Sequence, residues 1–306
     1  MRSVGFGNEG GRAPGVILGC MRIADMSYGD LDRLIKTALD CGVTWFDLAD
    51  IYGNGRCEER FGEFIANNPS LRDSMFIQSK CGIIPGKMYD LSYEHIISSA
   101  EQSLRRMRLD HLDMLLAHRP DALMEPYRIA EAVSTLKGQD KILHFGVSNM
   151  NASQMDLLFQ ASGHYPKANQ LQFGPAAATM ISHGMETNMQ TPGAINRDGG
   201  VLDACRIHGV TVQAWSPLQL PEWRGCIIGN PSCQALNSKL GEVAYRMGLS
   251  MEGVVASWIA RHPAGIQMIA GTTNPDRLRA MAAGYEKEMS REDWYAIYMA
   301  AGNPLP

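Results

Sequence analysis

The chain has 306 residues, 45% hydrophobic and 20% charged, with a formal net charge of −4 and a pI near 6.1. This composition suits a single folded α/β unit over residues 1–306, and the lack of a clustered Lys/Arg block argues against a nucleic-acid surface. No apolar stretch approaches the ~18 residues of a membrane span, residues 1–11 lack a signal-peptide core, and the 7 cysteines form no C-x-x-C pair, so a cytoplasmic protein without a disulfide framework is expected.

At the amino terminus, Gly5-Phe6-Gly7-Asn8-Glu9-Gly10 spells G-x-G-x-x-G. It lacks the preceding strand and following helix that make this pattern a dinucleotide fingerprint. Residues 5–15 are too Gly-rich to predict a regular hairpin. From there on, short apolar runs alternate with amphipathic stretches, the pattern of parallel β/α units. The spacing predicts a strand at 16–19 and a helix at 28–41, then strand 45–48 with helix 58–66, and strand 75–79 with helix 92–106. It continues with strand 114–117 and helix 127–137, strand 144–147 and helix 153–160, and strand 168–172 and helix 201–208. Strand 210–214 and helix 250–261 follow, then strand 267–269 and helix 275–283, with further helices at 237–247 and 291–301. In the first helix Leu31, Leu34, Ile35 and Ala38 recur at i, i+3, i+4, i+7, a stripe that packs on a sheet. Eight units in about 250 residues predict a closed (β/α)8 TIM barrel. Residues 173–199 and 218–236, after strands six and seven, are too long for turns and are expected to overhang the carboxyl-terminal rim. Asn151-Ala152-Ser153 is a formal glycosylation sequon.

Asp47, Tyr52, Lys80 and His118 each follow an apolar run: Trp45-Phe46-Asp47-Leu48-Ala49-Asp50-Ile51-Tyr52, Phe76-Ile77-Gln78-Ser79-Lys80 and Met114-Leu115-Leu116-Ala117-His118. Singly, each has an ordinary role as a cap, as loop packing, as a solvated lysine or as a loop histidine. In a barrel, however, the carboxyl ends of all strands face one rim, which makes the four a proton-transfer group. Tyr52 can give a proton to a carbonyl oxygen, and a neighbouring Lys80 ammonium favours the phenolate and eases that transfer. Asp47 would hold Lys80 in place, and His118 would orient the carbonyl. No His/Cys/Asp/Glu cluster has metal-ligand spacing; the nearest pair, His111 and Asp113, reads as a polar turn, so no metal is expected.

These four residues are followed by Gly146-Val147-Ser148-Asn149, Asn169-Gln170, Trp215-Ser216-Pro217 and Gly271-Thr272-Thr273-Asn274-Pro275-Asp276-Arg277. Across about residues 16–283 the set resembles the aldo-keto reductase family in order and spacing, and Leu-Ala-His-Arg-Pro-Asp around His118 looks most like its bacterial members. The resemblance implies a barrel that binds a nicotinamide cofactor in extended form and reduces a small aldehyde or ketone to an alcohol. By the same resemblance Ser148, Asn149 and Gln170 match contacts to the nicotinamide carboxamide, Trp215 matches the aromatic stacked on that ring, and Ser216 and Leu218 match pyrophosphate contacts. Arg277 matches the arginine on the 2′-phosphate of NADP, with Thr272, Thr273 and Asn274 beside it. Gly271 stands where many members carry Lys or Arg, and Ala280-Met281 replace an acidic or amide pair, which narrows the expected preference for NADP over NAD. The competing expectation is a nicotinamide-binding regulatory or redox-sensing barrel with little turnover. Substrate choice is expected to depend on Met21, Tyr89, Arg119, Leu123 and the two long segments.

Overall fold

The computed structural model describes residues 1–303; the last positions of the expected unit 1–306 lie outside the described residues. In chain order the elements are β1 (Ser3–Phe6), β2 (Gly11–Pro14), β3 (Val16–Gly19), α1 (Tyr28–Asp40), β4 (Trp45–Asp47) and α2 (Arg56–Asn67). Next come β5 (Phe76–Cys81), the short pair β6 (Ile83–Ile84) and β7 (Met88–Tyr89), α3 (Tyr93–Met107), β8 (Leu112–Ala117), α4 (Pro126–Gly138), β9 (Ile142–Ser148) and α5 (Ala152–Ser162). The remainder comprises β10 (Ala168–Gln172), α6 (Thr179–Met185), α7 (Val201–His208), β11 (Thr211–Trp215), α8 (Gln234–Met247), α9 (Met251–Ala260), β12 (Gln267–Ala270), α10 (Pro275–Glu286) and α11 (Arg291–Ala300).

Strands β3, β4, β5, β8, β9, β10, β11 and β12 close in that order into a parallel barrel, with β12 pairing back onto β3. This is the expected (β/α)8 barrel, built on all eight of the strands that the sequence predicts. The helices form where the sequence supplies both a cap and an apolar stripe. Ser27 accepts the Asp30 N–H at the start of α1, and Leu31, Leu34, Ile35 and Ala38 are buried beneath it. Asn151 of the formal sequon caps α5 in a reciprocal box with Gln154.

The amino terminus differs from expectation. β1 and β2 pair antiparallel in a regular hairpin. Gly7 and Gly10 adopt φ values of 64° and 76°, so the glycines that obscure the strand pattern are what the turn requires. Phe6 projects from this hairpin edge-on to Trp45, Phe76 and His144, and so plugs the barrel at the amino-terminal end of its strands. Of the two long segments, residues 173–199 hold α6 and a short 3-10 turn (Pro192–Ala194), whereas residues 218–236 are largely irregular between turns at Pro221–Trp223 and Pro231–Cys233. No helix among the described residues is long and apolar enough to cross a membrane.

Candidate active site

Asp47 is the last residue of β4, Lys80 is the penultimate residue of β5 and His118 follows β8, so strand geometry alone delivers all three to the same rim. Tyr52 arrives differently, at the head of a tight turn (Tyr52–Gly55) in which Gly53, Asn54 and Gly55 all take positive φ. The Lys80 ammonium is 1% exposed. It donates to Asp47 Oδ2 at 2.8 Å, to the Leu48 carbonyl at 2.7 Å and to the Tyr52 hydroxyl at 3.1 Å. All three of its hydrogens are thereby used, and the Tyr52 oxygen is an acceptor toward Lys80. The phenolic proton therefore points away from Lys80. The His118 ring stands edge-on to Tyr52, 5.8 Å between centroids, and its Nδ1 is buried without a partner among the described residues.

Burial raises the Tyr52 phenol above its usual pKa, and this outweighs Lys80, which pulls it down. Lys80 thus acts on the phenol in the expected direction, but desolvation is the larger effect, and the phenol stays protonated at neutral pH. Burial also works against the Lys80 ammonium, but the Asp47 charge and Tyr52 outweigh it and carry its pKa above the ordinary lysine value. Burial, assisted by Lys80 and Arg119, pushes His118 down to about 2, so its imidazole is neutral across the physiological range.

Behind the rim the barrel interior is polar in a way that sequence reasoning missed. Asp47 Oδ1 accepts from Gln78 Nε2 at 2.7 Å and from Gln170 Nε2 at 2.6 Å. Both amides also donate to Gln213 Oε1 at 3.0 Å, and Gln213 Nε2 donates on to Gln78 Oε1 and Gln267 Oε1. Gln267 Nε2 donates to the Pro14 carbonyl at 2.8 Å. The Asp47 carboxylate can only accept, which fixes the amide orientation of Gln78 and Gln170, while Gln78 and Gln213 exchange bonds in both directions. The available signal was a glutamine at a buried position inside an apolar run, as in Phe76-Ile77-Gln78 and Val212-Gln213-Ala214.

The network constrains what faces the open side. With both Nε2 hydrogens of Gln170 committed, its Oε1 remains as an acceptor. Asn149 Nδ2 donates to Ser148 Oγ at 2.8 Å, while its Oδ1 accepts from Trp215 Nε1 at 3.2 Å, leaving one Nδ2 hydrogen. One spare acceptor and one spare donor, edged by an indole, fit a planar primary carboxamide. Asn149 and Ser216 hold φ values of 57° and 48°, the kind of backbone strain that gathers at binding sites.

These groups line one cleft of about 690 Å³. Asp47, Tyr52, His118, Ser148, Asn149, Gln170, Trp215, Ser216, Leu218, Thr272, Thr273, Asn274 and Arg277 all contribute to its wall, so of the candidate catalytic and cofactor-binding residues only the fully buried Lys80 stands behind it. At the far end Asn274 Oδ1 caps α10 by accepting from the Asp276 and Arg277 N–H groups, and a helix start of this kind favours an anion. Met21 and Arg119 line the cleft as expected, but Tyr89 and Leu123 do not: both are exposed outside it. The segment 173–199 also stays out of the wall, whereas the segment 218–236 supplies Leu218, Gln219, Trp223, Cys226 and Ile228. Among the described residues no group of three or more His, Cys, Asp or Glu could hold a metal ion.

A model of the Aldo/keto reductase family matches residues 15–300. The chain is similar to Oxidoreductase YdhF of Escherichia coli, with 35% identity over 93% of this chain and 92% of that protein. It is also similar to a 6-dehydroglucose reductase of Novosphingobium aromaticivorans, with 30% identity over 98% of this chain and 96% of that one. Among solved structures, an aldo-keto reductase from Klebsiella pneumoniae in complex with NADPH superposes with a TM-score of 0.78 at 24% identity, covering 100% of this chain and 97% of the other. That likeness establishes a shared fold.

Proposed function

The chain belongs to the aldo/keto reductase family, and from that premise we propose that this oxidoreductase uses NADPH to reduce a small aldehyde or ketone to an alcohol, with Tyr52 as proton donor. The chain 1–306 would act as one barrel unit. The observation that carries the proposal is the saturated Lys80 ammonium: its three donors are spent on Asp47, Leu48 and Tyr52, so the Tyr52 proton is free to leave toward the cleft.

When bound, the cofactor supplies a hydride to the carbonyl carbon, and the remaining tasks fall to the chain. Tyr52, protonated because it is buried, gives its proton to the carbonyl oxygen, and the phenolate left behind is stabilised by the Lys80 ammonium at 3.1 Å. Asp47 keeps Lys80 charged and in place from the opposite side, and its own position is fixed by the Gln78 and Gln170 amides. Neutral His118 offers the carbonyl a hydrogen bond without competing for the proton. Ser148, Asn149 and Gln170 would hold the carboxamide, with Trp215 against the ring face; Ser216 and Leu218 would meet the pyrophosphate, and Thr272, Thr273, Asn274 and Arg277 the adenosine phosphate. The relative named 6-dehydroglucose reductase supports a carbonyl substrate.

The test is Tyr52→Phe. Single-turnover reduction across a panel of aldehydes and ketones is expected to fall by roughly 10²–10⁴-fold, while quenching of tryptophan fluorescence by NADPH persists. Undiminished turnover in that variant would remove Tyr52 from the chemistry.

A further inference from the structure

We propose that Glu252 is a specificity-determining residue of the adenosine end of the cleft, holding the chain's preference for NADPH over NADH low. The inference rests on the nicotinamide-cofactor function proposed above. Glu252 lies in the first turn of α9 and its side chain, 20% exposed, forms part of the cleft wall beside Arg277. Glu252 Oε1 and Arg277 Nε are 3.7 Å apart, an ion pair too long for a hydrogen bond. A first-turn glutamate is ordinary at a helix start; what sets this one apart is the close approach of α9 to α10. Gly253 and Gly284 bring the two backbones together so tightly that a Cβ on Gly284 would stand 2.1 Å from the Gly253 carbonyl oxygen. That contact presses the start of α9 against the helix that carries Arg277.

At this end the Glu252 carboxylate offsets part of the positive charge of Arg277 and Arg22. Gly271 contributes no side chain, and the other guanidinium nearby, Arg22, lines the cleft with Nη1 donating to the Gly271 carbonyl at 2.8 Å. A carbon added at Gly271 would lie 3.2 Å from that same nitrogen, so a cationic side chain there would crowd Arg22. Arg277 is therefore the cation at the mouth of α10, and a carboxylate already shares its field. A ribose 2′-phosphate, bearing about −1.5 to −2 charge at neutral pH like other phosphate monoesters, gains from Arg277 and loses to Glu252. A free 2′-hydroxyl loses nothing to the carboxylate and can donate a hydrogen bond to it. The same residue thus penalises one cofactor and tolerates the other.

The experiment titrates NADPH and NADH by tryptophan quenching against the same preparations of wild type and Glu252→Gln, so the ratio of the two Kd values is independent of the folded fraction. In E252Q, NADPH is expected to bind about fivefold tighter while NADH holds or weakens, and the NADPH preference rises at least about threefold. A preference that is unchanged overturns the inference. A preference that falls also overturns it, because Glu252 would then be an aid that positions Arg277. If neither cofactor quenches wild type, the nicotinamide function itself fails, an outcome separate from either of these.

Discussion

Gln170 donates its side-chain amide to Asp47 Oδ1 across 2.6 Å, which joins the carboxylate that holds Lys80 to a side chain on the cleft wall. Gln213 is the hub behind this contact, since its Oε1 receives both Gln78 and Gln170. In Gln213→Leu, those amides each lose an acceptor and Gln267 Oε1 loses its donor, all in a buried layer. Unsatisfied buried groups are expected to cost roughly 1–3 kcal/mol, read as a lower urea midpoint with an unchanged slope. Adding Gln78→Met should cost less than the two changes measured apart, because they share bonds. Strict additivity would argue that the glutamines act independently.

Lys80 is the fully buried cation of the site, and Asp47 is buried with it. Lys80→Met fits the volume but strands the Asp47 charge, a change that typically costs ~3–5 kcal/mol. Pairing it with Asp47→Asn should recover a large part of that stability without restoring turnover, since the group facing the Tyr52 oxygen is still missing. Thermal or urea unfolding of the single and double variants reads the first effect, and single-turnover reduction the second. A double variant no more stable than Lys80→Met would show that the pair is not the source of the loss.

Barrel and rim were legible in the sequence because each rests on a local rule. Period and length mark the strands, and a polar residue ending an apolar run marks the rim. The hairpin escaped because Gly7 and Gly10 dilute a four-residue alternation in which Val4, Phe6 and Ala13 face inward. The net pKa of Tyr52 escaped because desolvation depends on everything packed around the ring, whereas Lys80 is visible as a single letter. Tyr89 and Leu123 were misplaced for a related reason: position after a strand names the rim, but loop conformation decides which residues turn inward. Glu252 was invisible because its nearness to Arg277 is a product of helix packing.

The pH profile of turnover follows from two protonation states. With Tyr52 as the proposed proton donor, reduction needs its phenol intact, and the pKa of that phenol is raised, so the rate should hold through neutral pH and decline only above the usual phenol value of ~10. Oxidation of the corresponding alcohol needs the phenolate and should rise with pH in the same range. His118, at about 2, contributes no limb near its ordinary 6.5. Rate measurements in both directions check this, and an inflection near 6.5 that vanishes in His118→Asn would contradict the neutral imidazole.

Asp50 gives a stability signature that is separate from turnover. Its Oδ1 is buried without a partner among the described residues, and burial, reinforced by the Glu58 carboxylate, pushes its pKa up to about 7. The unfolded chain should release that proton near the reference value of ~3.9. Between the two values the folded state holds more protons than the unfolded one, so its contribution is most favourable below ~4 and is lost as pH rises toward 7. The loss approaches, but does not exceed, about 1.4 kcal/mol per pH unit within that window. Asp50→Asn carries no charge to bury and keeps an oxygen able to accept the Ile51 N–H. Relative to wild type it should therefore show no gain near pH 4, a growing gain through pH 6 and a plateau above 7. Urea midpoints measured across that range would test the sign, and curves for the two proteins that run parallel would mean that Asp50 is already ionised at low pH in the folded state.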